Sequence, residues 1–399
     1  MKLASLCLLS LILWGCTTSP SPVLPPVDLQ PIDNPLYVRK NWNSVIGRGV
    51  GQNYLKLQPV FSGNTGYVAD YLGYVRAFEI TTGKTLWTRQ LETPIASGPA
   101  IVENMLMFGT SQGEVLARDL RNGNELWRTT LSSEVLAQAC GDDGIVVIRT
   151  VDGRVYGLDA KNGKRLWVYD RSVPLLTLRG ISTPVIHNGI VIIGSDSGKL
   201  AALTLKTGTV LWETQIADPR GRTELERMVD IDAQPVVMED VVYVVTFQGR
   251  LATVQLDSGR MLWARDISSY SGMALDPYRV YITDAESQVW ALNRFNGATL
   301  WRQDDLLRRS LTAPVLQGPY LVVADYDGYV HWLKREDGSI VARKRINQDW
   351  HDAHADDLDD EDDPFGKANN ILVAPKDIDN MILVLDRMGH IAAFELEQP

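Results

Sequence analysis

Gly157-Leu158-Asp159-Ala160-Lys161-Asn162-Gly163-Lys164-Arg165-Leu166-Trp167 is the most regular of a set of near-copies that run through the whole chain. Asn162-Gly163 is turn chemistry, because glycine enters the positive-φ conformations of a tight reversal without steric penalty. The same pairing of a turn glycine with an indole recurs as Gly83 with Trp87, Gly123 with Trp127, Gly208 with Trp212, Gly259 with Trp263 and Gly297 with Trp301. Gly73, Gly113, Gly153, Gly198 and Gly249 each stand 14 residues ahead of their tryptophan, and Ser287 takes that place in the sixth copy. A seventh copy runs from Gly328 through Asp337-Gly338 but has Ala342 in the indole position. An eighth opens at Gly389, continues Ile391-Ala392-Ala393-Phe394, and stops.

Short apolar runs precede each copy, as in Ile190-Val191-Ile192-Ile193-Gly194, often with a proline further upstream (Pro184, Pro235, Pro314). They are too short and too rich in Val, Ile and Tyr for helices. The repeating unit is therefore four short strands, the size and content of a propeller blade. One blade cannot bury both of its faces, so the units must stack and close into a ring. The expected fold is all-β: an eight-bladed β-propeller of four-stranded antiparallel blades, closed by strands from both termini. The eighth copy has no room for its outermost strand, and the segment around Trp42 is placed to supply it. Counting leaves seven blades as the alternative. Trp42, Trp87, Trp127, Trp167, Trp212, Trp263 and Trp301 are read as docking residues packed between blades, not as catalytic groups. Truncating one to alanine is expected to cost about 3–5 kcal/mol.

Composition narrows the function. The chain has 399 residues, 45% hydrophobic and 22% charged, with a formal charge of −10. Those proportions belong to a well-packed globular body. The acidic balance argues against a nucleic-acid partner, which requires a basic face. Residues 1–15 read as a targeting segment: Lys2, then an apolar run to Trp14 that is too short to span a bilayer. Leu13-Trp14-Gly15-Cys16 resembles the lipobox of bacterial lipoproteins, which implies lipidation at Cys16 and attachment to the membrane by that anchor alone. A simple signal peptide with an incidental cysteine is the alternative. Thr17 after the cysteine, by resemblance to the sorting rule of that class, favours the periplasmic face of the outer membrane. Residues 16–35 are proline-rich and aperiodic and read as an extended tether, leaving 36–399 for the propeller.

The repeat resembles the quinoprotein type, whose signature is close to Ala-x-Asp-x-x-Thr-Gly-x-x-x-Trp. Enzymes with that repeat hold a quinone and Ca²⁺ and use a vicinal cysteine pair. This chain has no adjacent cysteines, and Cys140 is left alone as a small core residue. No nucleophile elbow, zinc-protease motif or phosphate loop occurs. No catalytic residue, metal ligand or cofactor is therefore expected. The run from Asp349 to Asp363 gathers carboxylates with His351 and His354. It reads as a divalent-ion site, as a contact for a basic partner, or as a solvated loop that repels itself.

A lipidated, acidic, non-catalytic propeller with this repeat resembles the BamB family, lipoproteins of the bacterial outer-membrane β-barrel assembly machine. Three segments carry the resemblance beyond the repeat: Trp42-Asn43-Ser44-Val45-Ile46-Gly47-Arg48-Gly49-Val50-Gly51, Leu176-Thr177-Leu178-Arg179-Gly180 and Asp230-Ile231-Asp232. It implies docking to a POTRA domain of BamA, association with the other subunits of the machine, and transient contact with unfolded outer-membrane proteins. Leu176, Leu178, Arg179, Asp230 and Asp232 are the implied BamA contacts. Independently of the resemblance, both segments lie in long intervals between repeats and precede Pro184 and Pro235, so they are expected as neighbouring rim loops. An apolar anchor with a charged rim is the composition of a binding patch. The bland alternative puts the leucines in the core and pairs Arg179 internally with Asp230 or Asp232. Three competing functions stay open: a quinoprotein-like periplasmic dehydrogenase, a small-ligand-binding propeller, and a propeller that binds cell wall or polysaccharide.

Overall fold

The computed structural model describes residues 24–397 apart from 34, 52, 171–181, 224 and 348–369. Within them the chain forms eight four-stranded antiparallel sheets and no helix. Seven blades are continuous in sequence: Val60–Gln90, Ser97–Thr130, Cys140–Tyr169, Val185–Gln215, Val236–Arg265, Met273–Gln303 and Val315–Arg345. The eighth joins the C-terminal strands, Lys376 to Leu396, to the N-terminal strand Val38–Val45 as its outermost member. Eight blades, and closure by both termini, are as the repeat count implies.

Burial explains why the strands read as they do. The second strand of blade 3, Ile145–Arg149, is buried along its whole length, because blades on either side cover both of its faces. Such strands are continuous apolar runs, not alternating ones. The outer strand Arg165–Tyr169 is exposed except around Trp167. A side-chain cap closes the turn between second and third strands: Asp70 accepts from the Tyr74 amide (2.9 Å), Asp325 from Tyr329 (2.9 Å) and Asp386 from His390 (2.8 Å).

Each docking indole lies on the turn glycine of the next blade. A Cβ built on Gly163 would sit 2.5 Å from Trp127 Cε3, and its φ of +69° already excludes most side chains. The indole N–H then finds a backbone acceptor in that next blade: Trp127 donates to Ala160 O (2.7 Å), Trp167 to Leu205 O (2.8 Å) and Trp212 to Leu256 O (2.8 Å). Trp263 and Trp301 reach Arg294 O and Arg335 O, both at 3.0 Å, and Trp87 packs on Gly123. Trp42 plays the same part at the closure, lying on Gly83 and donating to Ile80 O (2.9 Å). The seam strand pairs in register from Val38 opposite Leu396 to Val45 opposite His390.

Blade 7 departs from the rule in an orderly way. Opposite each docking indole the third strand carries a small residue: Ala77, Ala117, Gly157, Ala202, Thr253, Ala291 or Ala393. In blade 7 the two sizes are exchanged, with Trp332 opposite Ala342. Trp332 is fully buried, donates to Gln317 Oε1 (2.8 Å) and meets the Phe394 ring edge-on at 6.2 Å.

Two further features matter for function. Every outer strand slips register just before the indole position. The extra residue is a leucine in six blades (Leu86, Leu126, Leu166, Leu211, Leu262, Leu300), each 39–53% exposed. Bulges of this kind interrupt a sheet edge and discourage pairing with another strand. The proline-rich segment, expected as a tether through residue 35, is held to the body from Pro25 onward. Arg308 Nε donates to Pro25 O (2.7 Å), Arg309 Nη1 to Val27 O (3.1 Å), Arg343 Nη1 to Gln30 O (3.1 Å), and the Leu36 amide to Val341 O (2.8 Å). It is a strap down the outside of blade 7.

Candidate docking face

Because each blade runs up and down in sequence order, its two tight turns lie on one face of the ring. The inter-blade connections and the Asp-capped turns lie on the other. The connection into blade 4 contains Leu176, Leu178 and Arg179, which lie outside the described residues, as do Cys16 and the acidic run 349–363. The connection into blade 5 contains Asp230 and Asp232. Ser182 Oγ donates to Ala233 O (3.2 Å), so the flanks of the two connections meet.

The two aspartates are not surface carboxylates. Asp230 exposes 0% and Asp232 6%, and Ile231 between them packs against Gly194. Backbone bonds fix them: Ile231 N to Ser195 O (3.2 Å) and Phe247 N to Asp230 O (2.9 Å). A side chain this deeply buried holds its own loop and is not placed to touch another molecule. The exposed part of this connection is its crest, which sequence reasoning passed over. Arg220, Arg222, Leu225 and Arg227 stand in solvent there, Leu225 61% exposed. Thr223 and Glu226 shape the crest: Glu226 Oε2 accepts from the amides of Arg222 (2.6 Å) and Thr223 (3.3 Å), and the Glu226 amide donates to Thr223 Oγ1 (3.2 Å). These backbone bonds hold the Glu226 carboxyl below its ordinary pKa. The signal was available in Arg220-Gly221-Arg222-Thr223-Glu224-Leu225-Glu226-Arg227, a dense arginine run in the longest continuous interval among blades 1 to 6.

The same face carries the strap and the channel mouth. Beneath the strap, Arg309 Nε donates to Asp325 Oδ2 (2.7 Å), which also receives His331 Nε2 (3.1 Å), and Arg343 Nε donates to His331 Nδ1 (3.2 Å). A ring nitrogen that accepts from a guanidinium carries no proton, so His331 is neutral with its hydrogen on Nε2. Complete burial pushes its pKa down, against the pull of Asp325. At the centre a cavity of about 600 Å³ is lined by Tyr54, Lys56, Asp232, Tyr270, Leu372 and Lys376, among others. Cys140 lies elsewhere, in blade 3, and burial pushes its thiol up to about 12, so it is no nucleophile at neutral pH. Among the described residues no three His, Cys, Asp or Glu side chains converge as a metal site would require.

Residues 72–303 match the family model described as outer membrane protein assembly factor BamB. The BamB of Pseudomonas aeruginosa is 46% identical over 87% of this chain and 92% of its own. That of Escherichia coli is 36% identical over 84% and 89%. The chain belongs to the BamB family. The crystal structure of BamB from Moraxella catarrhalis superposes with a TM-score of 0.77 at 25% identity, covering 90% of this chain and all of that one. A quinohaemoprotein alcohol dehydrogenase from Pseudomonas putida shares the architecture at a TM-score of 0.69, but at 12% identity the likeness is one of fold alone. BamB membership puts the chain among assembly factors and not among enzymes, which sets the dehydrogenase alternative aside.

Proposed function

We propose that this protein is a non-catalytic lipoprotein scaffold of the machine that assembles outer-membrane β-barrel proteins. It sits on the periplasmic side of the outer membrane and docks a POTRA domain of BamA. Family membership is the observation that carries the reading. The docking site is the loop face at the entries to blades 4 and 5. Leu176, Leu178 and Arg179 come from one connection and the Arg220–Arg227 crest from the next, with Asp230 and Asp232 as the buried footing of the second. Arginine beside an exposed leucine is the composition of an interface anchor. If the lipid is on Cys16, the stretch to Pro25 spans at most about 30 Å. The strap therefore brings the loop face, not the tight-turn face, toward the membrane where the partner resides. Pairing of client strands to the blade edges is disfavoured by the bulge in every outer strand.

The test replaces exposed charges and spares the buried ones, since reversing Asp230 would damage the fold. Arg179→Glu combined with Arg222→Glu is expected to abolish co-purification with BamA from detergent-solubilised membranes while the thermal melt stays within a few degrees of wild type. Undiminished co-purification of that folded variant discards the assigned face.

A further inference from the structure

The central channel holds a feature that scaffolding does not use. Lys56 and Lys376 both line the cavity of about 600 Å³, Lys56 from the segment that leads from the seam strand into blade 1, Lys376 from the innermost strand of blade 8. Blades 8 and 1 are neighbours across the seam, so the two lysines line adjoining parts of the wall. Neither makes a hydrogen bond or an ion pair with any described residue. Elsewhere the buried guanidinium groups are held: Arg149 pairs with Asp196, Arg309 with Asp325 and Arg345 with Asp327, and Arg76, which has no carboxylate, donates to Ser44 Oγ (2.6 Å) and to Gly83 O. A chain with 49 acidic residues against 39 basic ones has no shortage of carboxylates. Two lysines kept unpaired in one partly enclosed cavity therefore run against the logic of the rest of the fold, since unpaired charge withdrawn from water destabilises the native state.

The rest of the wall says what kind of ligand would answer them. Tyr54, Gln58, Tyr270 and Thr312 offer hydroxyl and amide groups, and Leu136, Met273, Leu311 and Leu372 offer apolar surface. Among the described residues of the lining, the carboxylate that acts on Lys56 is Asp232, through space and without forming an ion pair. Burial pushes both amines below the ordinary lysine range, as expected of cations that lack a counter-charge. Two lysines on different blades, in a cavity whose wall also carries apolar side chains, suit an organic anion with two or more carboxylates better than a compact inorganic ion. The volume is that of a small-molecule site.

We propose that the channel is a binding site for a small organic polycarboxylate, held between Lys56 and Lys376 and admitted from the loop face. The inference stands independently of the docking reading. It is tested on the mature full-length protein by calorimetric titration with citrate and, separately, with inorganic phosphate. Citrate is expected to bind saturably at or below the millimolar range, with phosphate about tenfold weaker or worse. Lys56→Met and Lys376→Met are each expected to weaken citrate about tenfold, and the double variant to abolish binding. The unliganded melting temperature of each variant should hold or rise, because a half-buried charge without a partner has been removed. Absence of saturable citrate heat, equal affinity for phosphate, or full binding by the double variant would each overturn the proposal. So would a lowered unliganded melting temperature, which would make the lysines structural supports.

Discussion

Blades 1 to 6 and the seam formed by blades 7 and 8 solve one packing problem in two ways. In blades 1 to 6 an indole from the outer strand reaches across to the turn glycine of the following blade, as Trp127 does to Gly163. Blade 7 has no such glycine ahead of it. The corresponding turn of blade 8 does not exist, because its outer strand comes from the N-terminus and not from a hairpin after Leu396. The large side chain has moved instead to the third strand, where Trp332 fills the space against Phe394, and Ala342 takes the small partner's place. What the ring conserves is volume at each blade interface; which strand supplies it depends on whether there is a turn to lie on.

The sharpest way to break this comparison is to truncate one indole of each kind. Trp167→Ala and Trp332→Ala should each lose about 3–5 kcal/mol in chemical denaturation, as expected for large buried aromatic groups. The double exchange Trp332→Ala with Ala342→Trp should recover less than about half of that loss, because the relocated indole finds no glycine beneath it. Full recovery would show that the two positions are interchangeable and that the missing turn is irrelevant.

Glycine substitutions sharpen the same point. Gly163→Ala meets both the positive φ and the Trp127 ring and should cost about 2–4 kcal/mol. Gly144→Ala, with φ +74° and nothing within 4 Å, should cost only the backbone part, about 1–2 kcal/mol. Equal losses on denaturation would mean that the indole yields readily and does not dock.

A smaller effect separates the seam by pH. His331 has its pKa pushed down by burial, so the unfolded chain binds a proton that the native state refuses. Its contribution to stability is intact above the unfolded value of about 6.5 and falls away as the pH drops below it. The midpoint of melting should therefore decline between about pH 7 and 5, and His331→Gln should flatten that decline. Trp167→Ala, in blade 3, should leave the slope unchanged. The smallest change expected is at the strap. Arg308→Gln removes a bond to Pro25 O and should cost about 1 kcal/mol or less, yet limited proteolysis should cut ahead of Leu36 faster than in wild type.

Much of the ring was legible in the sequence because its determinants are local and repeated. A turn glycine, a small residue and an indole at fixed spacing specify a blade without reference to the rest of the chain, and even the role of Trp42 followed from counting. The exchange of Trp332 with Ala342 was not legible, because it depends on a strand brought from the other end of the chain. The strap was missed for a related reason: its partners Arg308, Arg309 and Arg343 lie far away in sequence, while its own composition announces only an extended segment. The proposed docking region was legible only as a neighbourhood. Asp230 and Asp232 alternate with Ile231 in a way that reads equally as rim or as core, and only burial distinguishes the two. The exposed arginine crest beside them was overlooked because no repeat position marks it.

Hydrogen exchange on the intact protein tests closure of the ring most directly. Amides of the seam strand Val38–Val45 that bond to His390–Leu396 should show the same protection as their counterparts in the outer strand Arg165–Tyr169 of blade 3, since both strands are locked by an indole on the next blade. Seam amides exchanging at the rate of open loops while blade 3 stays protected would contradict the account, leaving seven complete blades and an unlatched eighth.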